Sequence, residues 1–180
     1  LISVCEEQAN ALMRAAFGAI VREAGDLSAG VFDANGDMLA QAVTGTPGHV
    51  NTMAASVRAM LQFVTPGTLA PGDALVTNDP WLGAGHVFDF VVVPPAFLNG
   101  VIVGYLASTS HIVDVGGRGW SAEGRSVFEE GITIPVMRLR TGQTLNYDLL
   151  DIVTANSRVP HEARGDILSL LTCNDTGVAR

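Results

Sequence analysis

The sequence predicts an α+β fold, with a strand-rich centre of two β-hairpins flanked by helices at both ends. Near the start, Cys5, Ala9, Leu12, Met13, Ala16, Phe17, Ile20 and Val21 recur at helical spacing. Near the end, Tyr147 to Asn156 and a stretch opening at Pro160 do the same. Between them lie short apolar and β-branched runs separated by turn chemistry, Asp33-Ala34-Asn35-Gly36 and Asn99-Gly100.

In chain order, the first periodic stretch reads as one long amphipathic helix ending near Gly25. Ser28 to Phe32 and Met38 to Val43 read as strands of a first hairpin around the Asp33–Gly36 turn. Thr44 to Gly48 reads as a loop. Thr52 is placed to cap a second helix carrying Met53, Val57, Met60, Leu61 and Val64, stopped by Pro66-Gly67. Pro71-Gly72-Asp73 turns the chain into a strand, Ala74 to Thr77. The polar, glycine-rich segment Asn78 to Gly85 then delivers His86 to a second hairpin. Its strands are Phe90-Val91-Val92-Val93 and Val101 to Ser110, with Asn99-Gly100 as the turn. Pro94-Pro95 is expected to disturb the first of them and force a bulge. A long loop follows from His111 to Ser126, and long loops inside compact domains carry function more often than not. Tyr147 to Asn156 is a helix, and Pro160 sits at the first position of another that runs to about Cys173. No internal repeat, low-complexity linker or domain boundary interrupts residues 1–180, which read as a single domain.

Composition narrows the function. The formal net charge is −8, and all ten basic residues are Arg. Without basic patches, nucleic acid is not an expected partner. With no Lys, a Schiff-base mechanism within this segment is excluded, and so is the G-x-x-x-x-G-K-[ST] phosphate loop. No apolar run reaches the length of a membrane span, so no membrane association is expected. Cys5 and Cys173 lie in apolar periodic stretches and read as buried thiols, in keeping with a reducing cytoplasm.

The chemistry concentrates at the feet of the second hairpin. A fold-back centred on Asn99 sets residue 89 near residue 109, and His111 near residue 87. His86, Asp89 and His111 are thereby gathered within a few residues of one another. Two imidazoles and a carboxylate suit Mn, Fe, Zn or Co and leave coordination positions open. The competing reading is that both histidines are hydrogen-bonded loop residues, and spacing alone supports either. Asp79 and Asp114 each adjoin a proposed ligand, so each is a candidate catalytic residue, as a base or as a partner orienting an imidazole. Their alternatives are an Asx-Pro turn at Asp79 and a solvated loop carboxylate at Asp114. His49 reads as a cap-region residue or a substrate contact. His161 reads as a surface residue and Glu129-Glu130 as a solvated face. Trp81 and Trp120 read as pocket walls or as partner contacts.

The ordered set of motifs resembles the hydantoinase B/oxoprolinase family nearly end to end. It comprises Asp33-Ala34-Asn35-Gly36 with Ala40-Gln41-Ala42, Pro47-Gly48-His49, Asn78-Asp79-Pro80 with His86 and Asp89, and His111 with Asp114-Val115-Gly116-Gly117. Glu130-Gly131-Ile132-Thr133-Ile134-Pro135, Asn156-Ser157-Arg158-Val159-Pro160 and Gly165-Asp166 complete it. Each motif is weak alone; their order is specific. The resemblance implies the N-terminal part of a longer B-type subunit in an ATP-dependent hydrolase of cyclic amides, of hydantoinase, lactamase or 5-oxoprolinase type. An A-type partner subunit would bind ATP, make a phosphorylated intermediate and hand it over. The carboxylase branch, whose acetone-type α chains act on ketones, is the alternative. In that branch a His-x-x-Asp and a later His bind a divalent metal, which carries over onto His86, Asp89 and His111.

Three departures stand out. The usual Gly-Gly-Thr-His is here Gly83-Ala84-Gly85-His86, a second consecutive histidine after His111 is replaced by Ile112, and the Ala-Gln usual after Gly165-Asp166 is Ser169-Leu170. They bear on substrate identity and leave a non-catalytic structural paralogue as a further reading. A metal-dependent hydrolase working without ATP is another, which predicts turnover by this chain alone.

Overall fold

The computed structural model describes residues 1–180 apart from Pro66 and Ala84, with Val50 described by its backbone only. The helices are α1 (Ile2–Ala15), α2 (Ala19–Ala24), α3 (Pro47–Leu61), α4 (Val127–Glu130), α5 (Tyr147–Asn156) and α6 (Pro160–Val178). The strands are β1 (Leu27–Phe32), β2 (Met38–Gln41), β3 (Ala74–Thr77), β4 (Asp89–Val93), β5 (Pro95–Leu98), β6 (Val101–His111), β7 (Met137–Thr141) and β8 (Thr144–Leu145). They form one eight-stranded sheet in the order β2-β1-β6-β4-β3-β7-β8, with β5 paired to β6 beyond the end of β4. Every pairing is antiparallel. The α+β class holds, and the two expected hairpins are parts of this one sheet.

Both faces of the sheet are covered. Successive side chains on a strand point to opposite faces, so β4 splits its apolar run: Phe90 and Val92 join one buried cluster, Val91 and Val93 another. The first cluster packs against Cys5, Ala9 and Leu12 of α1, Leu150 of α5, and Ile167, Leu170 and Cys173 of α6. The second packs against Met53, Val57 and Met60 of α3. A strand buried on both faces needs the continuous apolar run that the sequence carries at Phe90–Val93.

Several expectations are corrected. The predicted single first helix is broken at Ala16–Gly18. The buried carboxylate of Asp166 on α6 accepts hydrogen bonds from the backbone N–H of Phe17 (2.7 Å) and Gly18 (3.0 Å), and Ala16 and Gly18 are extended. That long-range bond competes with continuous helix and wins; Gly25, at φ 66°, then ends α2. Thr52 does not cap α3. The helix starts at Pro47 with Thr46 before it, and the Thr52 hydroxyl donates back to the carbonyls of Gly48 and His49, both at 3.1 Å. Proline is well suited to a first helical position, and it moves the start six residues earlier than a cap at Thr52 implies. The stop expected at Pro66 lies outside the described residues, as does the departure at Ala84. The β7–β8 hairpin escaped prediction although Met137-Arg138-Leu139-Arg140 alternates and Gly142 adopts φ 57° in its turn.

The register of the second hairpin decides the site. Asp89 pairs directly with His111, a shift of two residues from a fold-back centred on Asn99. One residue comes from the turn, which closes between Leu98 and Val101. The other is a bulge on β6, where Val103 is the extra residue between Ile102, opposite Phe97, and Gly104, opposite Ala96. The prolines leave pairing intact on either side of Pro94. Gly104 is required there, because a Cβ would lie 2.3 Å from the Phe32 carbonyl oxygen.

Candidate metal centre

Asp89 opens β4 and His111 closes β6, so sheet pairing alone sets their side chains on one face. The Asp89 Oδ1 and His111 Nδ1 atoms are 3.4 Å apart. His86 lies just before the strand, where the chain is still turning, and places Nε2 3.3 Å from Asp89 Oδ2. These three side chains each offer a donor atom within 4.8 Å of the others, a grouping that could hold a metal ion. Asp89 and His111 are 1% and 2% exposed at the side chain, and His86 is 29% exposed, so the cluster is sealed below and open at His86.

The structure adds a residue that sequence reading left undecided. His49, in the first turn of α3, is buried and its Nε2 lies 3.0 Å from Asp89 Oδ2. Asp26 stands beside it, with Oδ1 3.7 Å from His49 Nε2, and takes a 2.6 Å hydrogen bond from the Thr46 hydroxyl. A second carboxylate thus reaches the same corner. The early start of α3 is what carries His49 there; the motif Pro47-Gly48-His49 was the available signal.

The electrostatics follow from this crowding. Burial opposes ionisation of Asp89, but the His111 imidazole 3.4 Å away, the hydrogen bond with His49 and the nearby His86 charge outweigh it and hold its pKa below the usual carboxylate value. Burial likewise opposes protonation of His49, yet the Asp89 hydrogen bond and the charges of Asp89 and Asp26 raise its pKa. At His86 burial prevails, aided by His111 and against the pull of Asp89, so its pKa is lowered toward the neutral imidazole a metal requires. Several polar atoms here are shielded from solvent without a hydrogen-bond partner among the described residues: both ring nitrogens of His111, Nδ1 of His86 and Oδ1 of Asp89. Buried polar groups in native proteins are normally partnered. Three residues with donor atoms within 4.8 Å of one another, and with buried polar atoms left unpartnered, fit a divalent cation.

Asp79 and Asp114 are engaged elsewhere. Asp79 Oδ1 accepts from the Trp81 backbone N–H at 2.9 Å, closing the Asx turn, and no hydrogen bond or ion pair among the described residues joins it to the triad. Asp114 takes Arg158 in a forked contact, with Arg158 Nε at 3.1 Å from Oδ2 and Nη2 on Oδ1, and also accepts from the Arg158 and Gly116 backbone N–H groups. It ties the loop after β6 to the start of α6. Asn78, the neighbour of Asp79, is the residue that shapes the approach to the site. Its Nδ2 donates to the carbonyls of Val87 (2.6 Å) and Ile132 (2.9 Å), and its Oδ1 accepts from Ile134 N–H (2.6 Å).

Aromatic rings frame the opening. Phe88 stacks on His111 with ring centroids 5.2 Å apart, and Trp120 stands edge-on to His86 (5.0 Å) and His111 (4.3 Å). A cavity of about 280 Å³ lies against His86, Phe88, Trp120 and Glu130. Trp81 is 88% exposed and His161 is exposed; neither lines this cavity. Glu130, expected on a solvated face, does.

Comparison with known proteins places this architecture. The family described as Hydantoinase B/oxoprolinase matches residues 1–180. The 5-oxoprolinase PfmaA of Pestalotiopsis fici is 37% identical over 144 residues, covering 78% of this chain and 11% of that protein. The beta chain of the caprolactamase of Pseudomonas jessenii is 25% identical over 145 residues, covering 79% of this chain and 25% of its own. Among solved structures, nucleotide-free acetone carboxylase superposes with a TM-score of 0.89 at 25% identity, over 99% of this chain and 24% of that one. The chain spans about a third or less of the length of the curated relatives it matches.

Proposed function

We propose, from the premise that this chain belongs to the hydantoinase B/oxoprolinase family, that it carries the metal-holding part of the B-type subunit of an ATP-dependent cyclic-amide hydrolase. His86, Asp89 and His111 would hold a divalent ion, Mn, Zn or Fe. The observation that carries this reading is the set of buried, unpartnered donor atoms on these three residues. A bound divalent ion would supply Lewis-acid polarisation of a substrate oxygen.

The chain's own residues do the rest. His49 holds Asp89 Oδ2 through a 3.0 Å hydrogen bond and so keeps Oδ1 turned to His111. Phe88 and Trp120 wall the open side and limit water. Asn78 fixes the backbone that presents His86. Asp114, with Arg158, acts in this reading by shaping the loop that carries Trp120, and Asp79 by shaping the turn before His86. Residues 1–180 make up one domain of a longer polypeptide in this reading.

ATP would be used on an A-type partner. Relatives named as the beta chain of a caprolactamase and the B component of a hydantoinase support an enzyme of more than one kind of chain. The partner would phosphorylate the amide oxygen, and this chain would receive the activated ring for attack by water. Cytoplasmic location belongs to the same reading; among the described residues no helix is long and apolar enough to cross a membrane. A second reading, the α chain of an acetone-type carboxylase acting on a ketone, has support in the 0.89 TM-score to acetone carboxylase, beside 0.87 to an ATP-dependent caprolactamase.

The test is metal analysis of the purified full-length protein and of its His86→Ala variant, followed by ATP-dependent turnover of a lactam and of acetone with the partner present. Metal in the wild type and its loss in the variant, with lactam turnover, supports the first reading. Equal metal content in both overturns it, and turnover of acetone alone selects the second.

A further inference from the structure

We propose that Glu130 is a substrate-binding residue, accepting the N–H of a cyclic amide in the cavity beside the triad and so selecting rings with a free amide hydrogen. The inference rests on the cyclic-amide reading above and adds to it a named contact.

Glu130 lines the same cavity as His86, Phe88 and Trp120. Its Oε2 is shielded from solvent and has no hydrogen-bond partner among the described residues. The adjacent Glu129 is already spent, in a 3.0 Å ion pair with Arg118 and a 3.4 Å hydrogen bond from the Arg125 backbone. The two neighbouring carboxylates have therefore been separated in role: one braces the loop, the other lines the cavity and keeps one oxygen, turned away from solvent, without a partner among the described residues.

The backbone under Glu130 is firmly held. The N–H of Arg118 donates to the Glu129 carbonyl (2.8 Å), and the N–H of Ile132 to the Val115 carbonyl (2.9 Å). Two glycines permit that close approach. A Cβ on Gly117 would lie 2.5 Å from the Glu129 oxygen, and one on Gly131 would lie 2.6 Å from the Val115 oxygen. Glu130 is thus pressed against the loop that carries Trp120 on a fixed frame.

The chemistry names the ligand class. A carboxylate oxygen accepts hydrogen bonds, so a ligand that meets the Glu130 side chain in the cavity brings an N–H or O–H. The cavity, about 280 Å³, limits the ligand to a small molecule, and Phe88, Trp120 and Ala122 give it apolar walls. A small ring with methylenes against the aromatics and one polar edge fits both conditions. In a cyclic amide the N–H and the carbonyl share that edge, so an N–H on Glu130 sets the carbonyl on the side of His86.

The test uses the full-length protein with its ATP-binding partner. Affinity for 2-pyrrolidinone and for N-methyl-2-pyrrolidinone is measured by calorimetry on the wild type, Glu130→Ala and Glu130→Gln, with metal content and melting temperature recorded for each. The wild type is expected to prefer 2-pyrrolidinone by roughly tenfold. Glu130→Ala should bind the two lactams equally with unchanged metal. Glu130→Gln, which keeps the side-chain volume and a neutral acceptor, should show a smaller preference than the wild type. A full preference retained in both variants overturns the inference, as does a loss of affinity for both lactams alike. A wild type that binds neither lactam overturns the cyclic-amide reading itself, and this inference with it.

Discussion

Asp89 and His111 are direct cross-strand partners, 22 positions apart in sequence, with Oδ1 and Nδ1 3.4 Å from each other. The carboxylate is buried and ionised because imidazoles surround it, and the imidazoles are presented because the strands are in this register.

His49 is the sharpest test of that dependence. It holds Asp89 without belonging to the triad. His49→Gln is expected to weaken metal binding about 10–100-fold, the usual cost of losing a partner that orients a ligand, while Asp89→Ala should abolish retained metal. Titration of the apo-protein with Zn²⁺ or Mn²⁺ measures both. Unchanged affinity in His49→Gln would mean that it does not orient Asp89.

The Asp114–Arg158 contact predicts acid sensitivity. Burial alone would raise the Asp114 pKa, but the Arg158 hydrogen bonds and charge, with backbone N–H groups, bring it below its ordinary value. A carboxyl with a depressed folded-state pKa stabilises above its unfolded value, near 3.8, and loses that contribution as pH falls toward the folded value. Wild-type melting temperature should therefore fall below about pH 4 more steeply than that of Asp114→Asn. Parallel curves would remove Asp114 as a source.

Asn78 makes three hydrogen bonds at 1% exposure. Asn78→Ala strands the Ile134 N–H and two carbonyls, at about 1–3 kcal/mol for a buried group left unpaired. A loss of ~2–4 kcal/mol in denaturant unfolding is expected, with weaker metal retention because Val87 adjoins His86.

Trp120 is 66% exposed yet stands 4.3 Å, centroid to centroid, from His111. Trp120→Ala should alter stability by only about 0.5 kcal/mol, as for most surface changes, and leave metal in place. Its effect should fall on substrate affinity and turnover in the assembled enzyme. Wild-type kinetics in this variant would show that the cavity wall is not used.

Cys5 and Cys173 are both buried and free, and burial pushes the Cys173 thiol up to about 12. Only the thiolate reacts, so a maleimide at pH 7 should label neither cysteine in the native protein and both in urea. Fast native labelling of Cys173 would show that α6 opens from the sheet.

Much of this was legible in the chain. The strand Ala74–Thr77 and the helix Tyr147–Asn156 have the bounds that turn residues and periodicity set. The triad could be picked out because its residues are chemically rare and lie at the ends of recognisable strands. What sequence reading missed depended on distant partners. The break at Gly18 is made by Asp166, 148 positions away, and the burial of His49 by a helix that starts at Pro47 rather than Thr52. Glu130 reads as one of two surface acids until Arg118 is seen to occupy the other.

The α+β class, most strands and helices, the absence of lysine chemistry and the candidate ligands could all be read from the chain, because these depend on local periodicity, turn residues and composition. The register that sets Asp89 against His111, the arrival of His49 and Asp26, and the cavity between Trp120 and Glu130 were decided in three dimensions. Those depend on one bulge residue at Val103 and on contacts between elements far apart in the chain, and a one-residue slip in a strand would have turned the same side chains to the opposite face.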